Sequence, residues 1–120
     1  MVSNYRELVV WQRAMELVKE TYRIVRLLPK EETYALSDQM RRAAISIPSN
    51  IAEGQARNST KEFIQFLSIA RGSKAELQTQ LLICVQLKYV TEEEIYAAMC
   101  MAEEVGKMIG SLISKLITDH

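Results

Sequence analysis

The sequence predicts an all-α protein, an antiparallel up-down-up-down four-helix bundle, and three observations predict it. Apolar residues recur at helical spacing in four separate segments. Glycine and proline are scarce, with four of one and two of the other, and no useful stretch alternates apolar and polar residues as a strand would. A length of 120 residues fits one domain, 1–120, with a real core. Apolar residues at 48% and charged residues at 25% describe a chain that folds rather than a disordered one.

The first helix is expected from about Arg6 to Leu28, ended by Pro29. Trp11, Met15, Val18, Tyr22 and Val25 follow an i, i+4, i+7, i+11, i+14 ladder and share one face. The second helix starts near Ser37, carries Met40, Ala43, Ala44, Ile47 and Ile51, and ends at Gly54 as a C′ residue. Pro48 falls inside it. A proline there donates no hydrogen bond and crowds the carbonyl of Ala44, at a cost of about 3 kcal/mol, so a kink near Pro48 is expected. The bend either wraps one helix around its partner or aims Arg41, Arg42, Asn50, Glu53 and Arg57 at a common polar site.

Ser59 with Glu62 reads as a capping box opening a third helix through Phe63, Leu67, Ala70, Leu77, Leu81 and Cys84 to about Val90. Its small residues Ser68, Gly72, Ala75 and Thr79 form a ridge matching Ala43, Ala44, Ser46, Ser49 and Ala52 on the second helix. Thr91 and Glu94 form the chain's clearest capping box. They open a last helix whose stripe is Ile95, Met99, Ala102, Gly106, Ile109, Ile113 and Leu116. Short connections favour antiparallel neighbours.

The first and last helices each carry a second apolar line: Val10, Ala14, Leu17 and Ile24 on one, Met101, Val105, Met108 and Leu112 on the other. A lone bundle buries one stripe per helix, so these lines indicate either a wide core face or a subunit interface. On the second reading Val10, Leu17, Ile24, Met101, Val105 and Met108 are the contact residues of a homo-oligomer.

Composition excludes several function classes. The longest uncharged run, Leu77 to Leu87, is far below the roughly 20 residues that cross a bilayer. The opening "MVSNYRELVVWQR" is charged before a secretory-type apolar core develops, so a cytosolic protein with no membrane partner is expected. Cys84 and Cys100 sit among apolar neighbours and read as reduced core thiols. The one histidine is His120, which leaves no Ser/His, Cys/His or multi-histidine set. The carboxylates Glu53, Glu62 and Glu76 lack a histidine or the Glu-x-x-His pattern of a bundle di-metal centre. No catalytic residue, metal or cofactor is therefore expected.

Net charge is zero but uneven: residues 1–30 carry six basic and three acidic groups, and 91–120 carry two and six. Lys19, Arg23, Arg26 and Lys30, at i, i+4, i+7 and i+11, align on one face of the first helix and could track phosphates. Glu16 and Glu20 lie close by, so a plain solvated surface is the alternative. Arg41 and Arg42 are a second candidate, with pairing to Asp38, Glu53 or a neighbouring subunit as the alternative. No aromatic platform accompanies either group.

Three segments, "LVVWQRAMELV", "LSDQMRRAAISIPSNIAEGQAR" and "STKEFIQFLSIARGSKAELQTQL", occur in this order over nearly the whole chain. Together, and above all in the Pro-Ser-Asn-Ile-Ala-Glu-Gly block, they resemble the bacterial four-helix-bundle family encoded by intervening sequences within 23S ribosomal RNA genes. The resemblance implies a closed bundle assembling as a ring-like homopentamer. It also implies kinship with the accessory variability proteins of diversity-generating retroelements, which are strongly basic and bind nucleic acid and a reverse transcriptase. This chain departs from those relatives in its zero net charge, so their nonspecific nucleic-acid affinity does not carry over automatically. Two expectations follow: a homo-oligomer that binds structured RNA or DNA, or a protein-interaction scaffold without nucleic-acid contact.

Overall fold

The computed structural model describes residues 4–119. Four helices carry most of them: α1 Val9–Val25, α2 Leu36–Ala56, α3 Thr60–Gln86 and α4 Glu92–Thr118. Single 3-10 turns at Tyr5–Glu7 and Lys30–Glu32 flank α1. At about 1.5 Å per residue the 27-residue α3 and α4 are about 40 Å long and account for most of the 46 Å long axis.

Cross-helix contacts set the directions. Arg13 bonds Glu104 and Arg23 donates to the Glu94 carbonyl, so α1 and α4 run antiparallel. Arg71 lies by Gly110, Lys74 by Gly106, and Gln78 donates to Glu103, which makes α3 and α4 antiparallel. Ser46 bonds Ser73, while Met40 meets Cys84 and Gly54 meets Phe66, so α2 and α3 are antiparallel as well. With α2 also packed on α1, the four close an up-down-up-down bundle.

The core is built from Leu17, Ile24, Met40, Ile47, Ile51, Leu67, Leu77, Leu81, Val105 and Ile109, all fully enclosed. Each such side chain contributes about 1.5–3 kcal/mol by leaving water.

The two apolar lines of α1 exchange the roles expected of them. Val10, Ala14, Leu17, Thr21 and Ile24 face the core, whereas Trp11, Val18 and Tyr22 lie at its edge and Met15 is exposed. The bundle centre needs small side chains where helices approach, and Ala14 and Thr21 supply them. The Thr21 hydroxyl donates to the Leu17 carbonyl at 2.8 Å, which removes most of the cost of burying it. Leu17, Ile24 and Val105 are thus fully enclosed core residues of their own protomer rather than surface contacts, while Val10, 5% exposed, is buried but borders the groove between α1 and α4. Met101 and Met108 stay partly exposed.

Helix ends also differ from expectation. α1 begins at Val9 because Asn4 caps a separate 3-10 turn, its side chain accepting from Arg6 N at 2.8 Å. α2 begins at Leu36, next to the Ser37 around which its start was expected, with Ala35 before it. Ser37 is buried, and the Leu36 amide is satisfied by Glu32 Oε1 at 3.2 Å. α2 stays helical across Pro48 and past Gly54, whose φ is not positive. Gly54 is a packing glycine rather than a C′ residue: a Cβ on it would stand 2.7 Å from Phe66 Cβ and 3.0 Å from the Phe63 ring.

The expected small-residue ridge on α3 does not face α2. Ser68, Gly72, Ala75 and Thr79 are exposed, and a Cβ on Gly72 would meet nothing within 4 Å. α3 stops at Gln86, short of Val90, because Lys88 turns left-handed (φ 64°), with Tyr89 N donating to the Cys84 carbonyl and Lys88 N to the Val85 carbonyl. These two bonds define a Schellman stop. The Thr91 capping box is complete: Glu94 N donates to Thr91 Oγ1 at 3.1 Å and Thr91 N to Glu94 Oε1 at 2.8 Å.

Candidate functional site

α1 buries its Leu17 face, and this turns Lys19, Arg23 and Arg26 toward solvent, with Lys30 exposed in the turn that follows. The four do not share one chemical state. Arg23 is held by Glu20, with Nη2 at 2.6 Å and Nε at 3.1 Å from the carboxylate, and it also reaches the Glu94 carbonyl. Its hydrogen bonds and attraction to Glu20 raise its pKa above the ordinary arginine value. The side chains of Lys19, Arg26 and Lys30 make no hydrogen bond or ion pair among the described residues. α1 ends at Val25 rather than near Leu28, so the helical period expected to align Lys30 stops short of it. Lys19, Arg26 and Lys30 remain an outer row of exposed, uncompensated cations along α1 and the turn that follows.

Arg41 and Arg42 do not join that row. Arg41 donates to the Thr33 carbonyl at 3.1 Å, anchoring the loop before α2, and Arg42 pairs with Asp38 at 3.0 Å. Arg57 pairs with Glu53 and faces the Phe66 ring at 4.9 Å. From Arg41 to Arg57 α2 spans about 24 Å, so the polar groups around Pro48 are spread along the helix instead of converging. Those next to the proline serve packing. Asn50 Nδ2 donates to the Ser46 carbonyl at 2.7 Å and to Ser46 Oγ at 2.9 Å, while the Ser46 and Ser73 hydroxyls bond at 2.8 Å between α2 and α3.

The second feature is an apolar groove of about 970 Å³ between the start of α1 and the middle of α4. Leu8, Val9, Met101, Met108 and Leu112 line it, with Cys100 at its edge. Val9 is 59% exposed, unusual for a valine beside other apolar groups. Arg13 crosses the rim: its Nε donates to Glu104 at 3.0 Å and its Nη1 to Glu16 at 2.6 Å, and these bonds raise its pKa. Cys100 is an exposed free thiol, not the core thiol expected, whereas Cys84 is buried and burial pushes its pKa up to about 11.

His120 lies outside the described residues. No described helix is long and apolar enough to cross a membrane. Sequence reading missed Val9 and Leu8 as groove residues because they flank the helix start, where the 3.6-residue period has not begun.

Fold and surface define an all-α four-helix-bundle protein with an open apolar groove and a separate row of unpaired cations. The model of the 23S rRNA-intervening sequence protein family matches residues 6–111, and the chain belongs to that family. It is also similar to a crystal structure of a protein with unknown function from the S23 ribosomal protein family of Bacteroides thetaiotaomicron. The two share 26% identity and a TM-score of 0.81 over 88% of this chain and 98% of that one. No curated protein matches the chain.

Proposed function

We propose that this protein is a non-enzymatic, homo-oligomeric accessory factor that binds structured RNA or DNA. The observation that carries the reading is the outer row Lys19, Arg26 and Lys30. Arg13, Arg23, Arg42 and Arg57 all have carboxylate partners, whereas these three have none. An unpaired cation gains most from a phosphate because it gives up no existing ion pair. Three contacts per chain are weak alone. The α1/α4 groove supplies the means of multiplying them, since copies docked through Met101, Met108 and Val9 would repeat the row around an assembly. Membership of a family named for 23S rRNA intervening sequences is consistent with an RNA partner.

The test is a salt titration with a hairpin RNA. Neutralising one phosphate-binding cation should reduce the slope of log K against log salt by about 1. Lys19→Gln/Arg26→Gln/Lys30→Gln should therefore flatten the slope strongly, while Arg42→Gln leaves it unchanged. Absence of RNA and DNA binding at low salt would instead favour the scaffold reading. That second reading rests on the zero net charge and on the exposed Glu92, Glu93 and Glu94 at the start of α4.

A further inference from the structure

α4 carries two glycines one turn apart, Gly106 and Gly110, deep within a 27-residue helix. Each costs about 1 kcal/mol relative to alanine there. Neither has a positive φ, so backbone conformation does not require them. What Gly106 provides is space for a side chain of α3, whereas a methyl on Gly110 would fit without displacing anything. A Cβ on Gly106 would stand 2.7 Å from Lys74 Cε and 3.0 Å from its Nζ, and one on Gly110 would stand 3.8 Å from Arg71 Nη1. Two cationic side chains, one helical turn apart on α3, therefore reach across to bare backbone on α4.

Their charges are uncompensated. Lys74 Nζ donates to the neutral Gln78 Oε1 at 3.1 Å, and Gln78 Nε2 in turn donates to Glu103 Oε1 at 3.2 Å, so an amide stands between ammonium and carboxylate. The Arg71 side chain has no hydrogen bond or ion pair among the described residues, and neither does that of the exposed Lys107 beside Gly106. We propose that Arg71 and Lys74, laid across Gly106 and Gly110, form a phosphate-binding site on the α3/α4 face, separate from the α1 row. An arginine fork beside a lysine point charge suits a phosphate, whose oxygens accept from both. Bedding on α4 holds the Lys74 stem in place before the ligand arrives, which lowers the ordering cost of binding. The phosphate could belong to a polynucleotide backbone, which rests on the function proposed above, or to a free phosphate compound, which does not.

The experiment uses two probes on the full chain. Millimolar pyrophosphate should shift the Arg71 Nε–H and the Gly106 and Gly110 amide resonances, and Arg71→Gln/Lys74→Gln should abolish those shifts. Gly106→Ala is the diagnostic variant. Its methyl displaces only the flexible end of Lys74, so the melting temperature should hold or rise while pyrophosphate affinity falls several-fold. Gly110→Ala, whose methyl makes an ordinary contact, should leave affinity unchanged.

The second probe is the hairpin RNA. A decrease of about 1–2 in the salt slope for Arg71→Gln/Lys74→Gln, measured beside the α1 row variant, assigns the site to the polynucleotide. Pyrophosphate binding with an unaltered RNA slope assigns it to a free phosphate compound, and the α1 variant alone then judges the proposed function. Unmoved resonances at millimolar pyrophosphate overturn the site. An affinity that Gly106→Ala leaves intact overturns the role given to the glycine bed.

Discussion

Gly54 of α2 and Phe66 of α3 approach so closely that a Cβ on the glycine would stand 2.7 Å from Phe66 Cβ. The opposing atom is the root of a side chain, not a flexible end, so relief requires the two helices to separate. Gly54→Ala gains about 1 kcal/mol of helix propensity but overpacks the most extensive helix pair, which costs about 1–3 kcal/mol. The expected net result is a lower urea midpoint, by chemical denaturation followed at 222 nm. In contrast, Gly72→Ala meets nothing within 4 Å and should raise the midpoint.

Lys88 holds a left-handed conformation that favours glycine. For a residue with a Cβ that conformation costs about 1–2 kcal/mol, so Lys88→Gly should stabilise the protein by about 1 kcal/mol and Lys88→Val should destabilise it. Thermal melts of the three proteins check the order.

Burial raises the Cys84 pKa from 9.0 to about 11. Folding thus favours the protonated thiol, and the associated stability is complete below pH 9 and lost as pH rises toward 11. A shift of this size corresponds to about 2–3 kcal/mol. Melting temperatures of the parent should fall between pH 9 and pH 11 more steeply than those of Cys84→Ala.

The two thiols should differ in reactivity. Cys100 is exposed at the groove edge and Cys84 is enclosed, so a maleimide should label Cys100 rapidly and Cys84 only on unfolding. If copies cover the groove, Cys100 labelling should slow as protein concentration rises.

How much of this was legible in the sequence depended on how local the signal was. The Thr91 cap was readable because its partner, Glu94, lies three residues away. Which line of α1 faced inward was not readable, since Thr21 hides its hydroxyl on the Leu17 carbonyl and scores as polar until that bond is seen. Gly54 looked like a helix end because its purpose lies on another helix, at Phe66. The cationic stripe was visible as spacing. Its division into a tied Arg23 and the free Lys19, Arg26 and Lys30 depended on where Glu20 and the Glu94 carbonyl were placed in space.

The proposed function requires copies to associate through the α1/α4 groove, and sedimentation velocity tests this most directly. At micromolar concentration the protein should sediment as a multiple of its 13.7 kDa protomer. Met101→Glu/Met108→Glu should return it to a single copy with its helical spectrum intact. A parent protein that sediments as one 13.7 kDa copy would contradict the account.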